Sequence, residues 1–351
     1  MANEEVKLEI IREELIEIKT KYSDERRTEI AETDEGDLLI EDLIADEETV
    51  VVYSRSGYIK RHSVDNYRAQ RRGGKGIRGM VLKEEDVVEK LFIASALSHL
   101  LVFTSLGKVH WLRVFSIPEV SRTAKGKSIA NLVNLQPGES IASILSVREF
   151  EEDKFVMIAT ERGIVKKTSL MKYSKPRQGG VIGLTIDKGD RLIGAELCDG
   201  KSDILLATEK GYSIRFSEKE ARPIGRTGRG VRGIRLKPDD RVVGAEIVHP
   251  GNMLLTVTSN GYGKRTQLEE YPVQGRGGLG VMTIRCNEKI GSVVGIQQVT
   301  EKDQLLVITS DGNIVRMKVD EISVIGRNTQ GVRLVGTGES NQVVSVEKLV
   351  E

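Results

Sequence analysis

"ILLATEKGYSIR", residues 204–215, decides the fold. An apolar run enters a Thr-led turn, glycine takes the turn's fourth position, and a second strand leaves it and ends on a cation. The chain writes this unit six times, Ser- or Thr-led and ending on a cation in all but the second, as "SRSGYIKR" (54–61), "TSLGKVHW" (104–111), "TERGIVKK" (160–167), "TEKGYSIR" (208–215), "TSNGYGKR" (258–265) and "TSDGNIVR" (309–316). The turn glycines are Gly57, Gly107, Gly163, Gly211, Gly261 and Gly312, about fifty residues apart. A second set, Gly76, Gly126, Gly180, Gly230, Gly280 and Gly331, follows at a similar period. The connecting strand recurs as well, "DRLIGAEL" starting at Asp190 and "DRVVGAEI" at Asp240.

A unit of this length with about four short β runs and no helical period is the size of one propeller blade, and a blade buries its faces only against its neighbours. "SNG" and "SDG" are hairpin turns, where glycine supplies the positive φ that lets the strands keep their twist. The expected fold is all-β: a six-bladed propeller over residues 49–351, whose ring removes most sheet edges. Before it, Leu8, Ile11, Leu15, Ile18 and Tyr22 step by three and four, with Glu17 and Lys21 paired one turn apart, which predicts an α-helix within residues 1–30. Two heptads are too few for an independent coiled coil, so the helix reads as the end of a longer arm, or as a surface helix on its own domain. Residues 31–48 read as an acidic linker and lead-in strand.

The net charge of +1 is a cancellation: residues 1–50 hold 6 Lys and Arg against 18 Asp and Glu, and residues 51–351 hold 47 against 34. A basic body of this size favours a polyanionic partner, although a solvated mixed surface would tolerate it. No apolar run reaches the roughly 18–20 residues of a membrane span and no signal pattern opens the chain, so the expected location is the cytoplasm. Cys198 and Cys286 stand apart with no CxxC pair, which predicts buried structural thiols and neither disulfide framework nor zinc site.

The candidate site is built from cations. Lys60, Arg61, Lys166, Lys167, Arg215, Lys264, Arg265 and Arg316 stand at matching places in five of the six repeats, and only the second departs, with His110 and Trp111. One cation at the same place in successive blades becomes a stripe around the disc, read as a phosphate-binding rim or as a solvated face. The loops around the second glycine set add Lys125, Lys127, Arg177, Arg226, Arg229, Arg276 and Arg327. Bare glycine backbone and charge-assisted donors suit a phosphate backbone and carry no base code. Two decoys fall away. "GRGGLG" (275–280) runs into a strand-like "VMTIRC" where a dinucleotide site needs a helix, and "SRTAKGKS" (121–128) begins on serine where a P-loop needs glycine. No Ser/His/Asp or Cys/His grouping emerges, and no polar cluster recurs where the blades converge. A protein-interaction platform stays open as the rival class, with its binding residues on the top surface.

"QRRGGKG" (70–76), in the setting "YRAQRRGGKGIRGM", resembles the signature box of the DNA gyrase A C-terminal domain family. The resemblance covers nearly the whole chain, because "LEIIREELIEIKTKYSDERRTEI" is similar to the end of that family's coiled-coil arm and "EDLIADEETVVVYSRSGYIKR" to the lead into its first blade. It implies a β-pinwheel whose blades exchange strands, wrapping duplex DNA around a basic rim and so favouring negative supercoiling by the complete enzyme. It assigns Gln70, Arg71, Arg72, Gly73, Gly74, Lys75 and Gly76 to the box needed for wrapping. It also implies a chain that is not an enzyme by itself: the cleavage tyrosine would belong to an N-terminal breakage-reunion part, and the ATPase to the gyrase B protein. No cofactor is expected here, with ATP and Mg2+ reserved for the whole bacterial, nucleoid-associated topoisomerase. The related C-terminal domain of topoisomerase IV is the alternative, although six regular repeats and an intact box favour gyrase.

Overall fold

A computed structural model describes residues 4–24, 43–54, 56–63, 88–121, 124–310, 313–337 and 341–349. The chain divides into two compact units, residues 1–43 and 44–351. Among its described residues the first holds one α-helix, Glu4–Tyr22, on which Leu8, Ile11, Leu15, Ile18 and Tyr22 are all exposed.

The second unit is a six-bladed propeller with exchanged strands. In the fourth repeat, Asp203–Thr208 and Tyr212–Ser217 form an antiparallel hairpin, and Val242–Val248 returns along the other edge of the first hairpin strand. The fourth strand of that sheet, Val281–Met282, belongs to the following repeat. The same donation occurs at each earlier junction and the next: Lys127–Ser128, Val181–Ile182, Val231–Arg232 and Val332–Arg333 each complete the sheet of the repeat before. Among the described residues the sixth sheet has three strands. Long return strands of successive sheets pack on one another, and Val343–Leu349 meets Val88–Ser95, so these strands form the inner ring and the donated strands its outer margin.

The first hairpin strands are mostly apolar between their ends, as in Ile204–Ala207, because both of their faces are covered. Ile204 and Leu206 face the third blade's Ala159 and Val165, while Leu205 and Ala207 face the fifth blade's Leu254 and Leu268. Among the described residues the core is therefore five clusters, one at each successive junction from the first blade to the sixth. A fully buried Leu or Val contributes roughly 1.5–3 kcal/mol, so a blade without its neighbours loses most of its stabilisation.

The Ser/Thr-Gly turn is explained atom by atom. A register shift falls just before Thr208, whose hydroxyl accepts from the Tyr212 N–H at 3.2 Å, while the Gly211 N–H donates to the Thr208 carbonyl at 3.0 Å. Gly211 has φ +83°, and a Cβ there would lie 2.3 Å from the Ile284 carbonyl oxygen of the next repeat. The glycine thus serves both the turn and the docking of the donated segment.

Candidate nucleic-acid interface

After the second hairpin strand of the second to sixth repeats the chain makes a short 3-10 turn, crosses the outer margin in a cation-bearing loop, and then donates its two-residue strand. A phosphate-binding rim requires the cations at the end of the hairpin strand to face outward. Instead Lys60, Lys166 and Lys264 are 0% exposed, and Lys167 and Arg265 only 4%. This corrects the reading of those five as surface phosphate ligands: in this fold their donors are spent on the neighbouring blade.

One position makes a series of pins. Arg61 Nε donates to the Ile117 carbonyl at 2.9 Å, Lys167 Nζ to Glu218 at 2.9 Å, Arg215 Nη1 to Leu268 at 2.9 Å and Arg265 Nε to Ile322 at 2.7 Å. Each acceptor lies in or beside the next repeat's 3-10 turn. The second repeat departs in sequence but not in function, because Trp111 Nε1 donates to the Tyr173 carbonyl at 2.8 Å. Arg61 and Arg215, half-buried, also pair with Glu119 at 3.1 Å and Asp203 at 2.9 Å. Arg316 alone of the stripe is exposed, with Nε donating to Gln304 at 2.6 Å.

The preceding position holds the buried lysines. Lys60 Nζ donates to the Ala124 carbonyl at 2.9 Å, Lys166 Nζ to Gly183 at 2.6 Å and to Arg226, and Lys264 Nζ to Gly326 at 2.5 Å and Arg327 at 2.6 Å. Desolvation, helped by the nearby Arg226 and Arg327, brings Lys166 and Lys264 down to about 8. The second glycine set also differs from its expected use. Gly230, at φ +85°, would put a Cβ 2.6 Å from the Val165 carbonyl and 3.1 Å from Lys166 Cβ, and Gly126, Gly180, Gly280 and Gly331 are as tightly placed, so the described members of the set serve blade-to-blade approach.

The outward charge lies in the loops and on the donated strands. Lys125, Lys127, Arg177 and Arg229 are exposed; the Arg229 side chain is 74% exposed and lies 3.3 Å from Asp187. Arg226, Arg276 and Arg327 are half-buried, and the last two stitch the margin, Arg276 Nη1 to the Arg232 carbonyl at 2.5 Å and Arg327 Nη1 to Met282 at 3.1 Å. Successive loops are joined by backbone: Arg235 N–H to Gly278 at 2.8 Å, Arg285 N–H to Thr329 at 2.8 Å, Gly277 N–H to Gly233 at 2.7 Å. The box, residues 70–76, lies outside the described residues.

Sequence reasoning missed Arg232, Arg235, Lys237, Arg285 and Arg333, all exposed. Their signal was present: Arg232 and Arg333 follow the second glycine in "GVR", and a tyrosine after the turn glycine carries a cation of its own repeat or of the next. Lys125 lies 4.0 Å from the Tyr58 ring centre, Lys237 3.9 Å from Tyr212, and Arg333 5.7 Å from Tyr262. The inner ring also differs from expectation, since polar residues do recur there. Glu196 accepts from the Ile247 N–H at 2.8 Å and Glu246 from Gln298 Nε2 at 3.1 Å, which joins adjacent return strands. Among the described residues no group of side chains could hold a metal ion, and no helix is long and apolar enough to cross a membrane. Cys198 is buried and Cys286 half-buried, neither in a disulfide. Burial pushes both thiols up, Cys286 to about 11, which keeps them protonated and unreactive.

A family described as DNA gyrase C-terminal domain, beta-propeller, matches residues 48–95, 98–148, 154–199, 202–249, 252–300 and 303–349, one match for each repeat. The DNA gyrase A protein of Buchnera aphidicola is 50% identical over 351 residues, covering 100% of this chain and 42% of its own. That of Salmonella typhimurium is 46% identical over 344 residues, covering 98% and 39%. The chain spans about two fifths of the length of these relatives. Two solved structures share the fold: a DNA topoisomerase IV C-terminal domain (TM-score 0.75, 26% identity, 87% of this chain and 94% of that one) and a DNA gyrase A C-terminal domain (TM-score 0.70, 25% identity, 87% and 100%).

Proposed function

Since the chain belongs to the DNA gyrase C-terminal domain family, a six-bladed β-propeller, we propose that it binds duplex DNA without regard to sequence and bends it around the outer margin of the ring. The observation that carries this reading is the margin itself: exposed Lys125, Lys127, Arg177, Arg229, Arg232, Arg235, Arg285 and Arg333 stand on consecutive loops and donated strands, those of the third to sixth repeats tied to one another by backbone hydrogen bonds. Phosphate neutralisation with counterion release needs nothing more.

Bending a 20–30 bp site smoothly by 40–90° costs about 1–6 kcal/mol, and the cost grows with the square of the angle, so a half turn over the same length costs roughly 20 kcal/mol. One loop cannot meet that, and a rigid margin that spreads its phosphate ligands over several blades can. The box residues 70–76 would then hold one end of the arc.

In the complete enzyme the wrap would present a neighbouring DNA segment for strand passage and bias the outcome toward negative supercoiling. Catalysis would stay with a breakage-reunion part of the same polypeptide and with the gyrase B protein, with ATP and Mg2+ acting there, in the bacterial cytoplasm. The test is the linking-number change when the chain binds relaxed plasmid in the presence of a nicking-closing enzyme. A reproducible change per bound domain, lost as salt rises, is the expected result. Binding without any change in linking number overturns the wrapping reading.

A further inference from the structure

A stripe of lysines that ought to touch DNA is instead hidden by the fold beneath the loops that would. Resting on the wrapping reading, we propose that Lys60, Lys166 and Lys264 are positioning residues, each fixing the backbone of the next repeat's cation loop and thereby the path of the wrapped duplex.

The geometry is the same at all three sites. A fully buried ammonium donates to a carbonyl at, or next to, a margin cation: Ala124 beside Lys125, Arg226 itself, and Gly326 with Arg327. Glycine in the same loop removes the side chain that would hold it off: a Cβ at Gly126 would lie 3.0 Å from Lys60 Cβ, and one at Gly230 3.1 Å from Lys166 Cβ.

Packing alone does not demand a lysine. The equivalent position holds Ile214 in the fourth repeat and Val315 in the sixth, and Ile214 is buried in the core between the third and fourth blades. Burying an ammonium is costly, as the downward shift of Lys166 and Lys264 reflects. The cost is offset where the ammonium satisfies carbonyls that would otherwise be buried without a donor. Lysine in repeats one, three and five, with histidine, isoleucine and valine between, puts a clamp at alternate junctions. A curved rail carrying a stiff duplex gains from fixed posts, because the direction of the arginines, more than their number, sets the bend.

The experiment separates path from affinity. Lys166→Met and Lys264→Met, alone and together, are compared with the parent chain and with a Lys125→Ala/Lys127→Ala control for cooperative melting, for the slope of log K against log salt on linear duplex, and for linking-number change. In the double methionine variant the slope should stay at the parent value while the linking-number change falls to half or less. In the control the slope should become shallower by about 0.9 for each phosphate no longer neutralised. A slope that drops by about one unit per methionine would make the buried lysines phosphate ligands and overturn the proposal, as would folded variants that wrap like the parent. Should methionine abolish cooperative melting, Lys166→Gln and Lys264→Gln, which retain a donor, carry the same comparison. Unfolding of both series would reduce the lysines to a folding role and overturn it too. A parent chain that binds yet leaves linking number unchanged fails the wrapping reading before any lysine is altered.

Discussion

Trp111 tests whether the hairpin-end position is a blade pin whatever residue occupies it. Trp111→Phe removes one donor and keeps an aromatic ring on a half-buried site. The lost bond runs from the indole N–H to the carbonyl of Tyr173, a residue 0% exposed, so that carbonyl is left without its donor. An unsatisfied buried acceptor costs about 1–3 kcal/mol. Taking about 2 kcal/mol, and a sensitivity near the lower end of 2–4 °C per kcal/mol for a ring of this size, the melting temperature should drop by about 4 °C. Trp111 is the chain's single tryptophan, so circular dichroism and not fluorescence should follow the melt. Trp111→Lys supplies the control, because Lys167 in the same position of the next repeat reaches the Glu218 carbonyl at 2.9 Å. It should recover at least half of the loss. A phenylalanine variant melting within about 1 °C of the parent, or a lysine variant as unstable as it, would refute the pin.

Other outcomes follow from the same geometry. Gly280→Ala would put a Cβ 2.2 Å from the Ser213 carbonyl oxygen at φ +74°, so about 3 kcal/mol or more should be lost in a urea titration. Gly57→Ala, at φ +80° with nothing within 4 Å, should lose only the conformational 1–2 kcal/mol or so. Alanine at Arg229, Arg235 and Arg333 together should leave the melting temperature unchanged and make the salt slope of DNA affinity shallower by about three units, near one for each phosphate released. With pH, Lys166 and Lys264 have folded values lowered to about 8, so above that point the unfolded chain binds more protons and stability rises with pH. Cys198 and Cys286, raised on folding, act in the opposite sense above about 9, so melting temperature should climb between about pH 8 and 9 and then level. That climb should disappear in the Lys166→Met/Lys264→Met double variant.

The ring was legible in the sequence because its two glycine periods are imposed by backbone. Gly211 and Gly261 need positive φ and have a neighbouring carbonyl 2.3 Å from any added Cβ, so no other residue serves and the spacing survives in plain sight. Strand exchange was not legible from the residues. "VM" and "VR" are two-residue strands whose identity depends on which sheet receives them, and only the resemblance pointed to exchange. The inner carboxylates were hidden for a related reason: Glu196 and Glu246 sit inside "GAEL" and "GAEI", where alternation marks them as one face of a strand but does not reveal that the face meets another blade.

The cations carry the sharper lesson, because one periodic signal had two causes. A lysine repeated at one place in successive blades is on a stripe by symmetry, but symmetry leaves open whether the stripe faces solvent or the next blade. The apolar residues around it decide. Lys60 and Lys264 follow a turn glycine by three residues, at the depth in the hairpin where the partner strand offers Val52 and Thr256, both buried. Arg229 stands between two glycines, and Arg232 and Arg235 alternate with the single apolar residues Val231, Ile234 and Leu236, with no apolar run on either side. A cation flanked by the period of a covered strand has to find carbonyls, and these find them at 2.5–2.9 Å. A cation in a glycine-rich crossing has to find water or an anion. The hidden set then holds the displayed set in place, so charge removed from either should alter the bend of a bound duplex, and only charge removed from the displayed set should alter how steeply its affinity falls with salt.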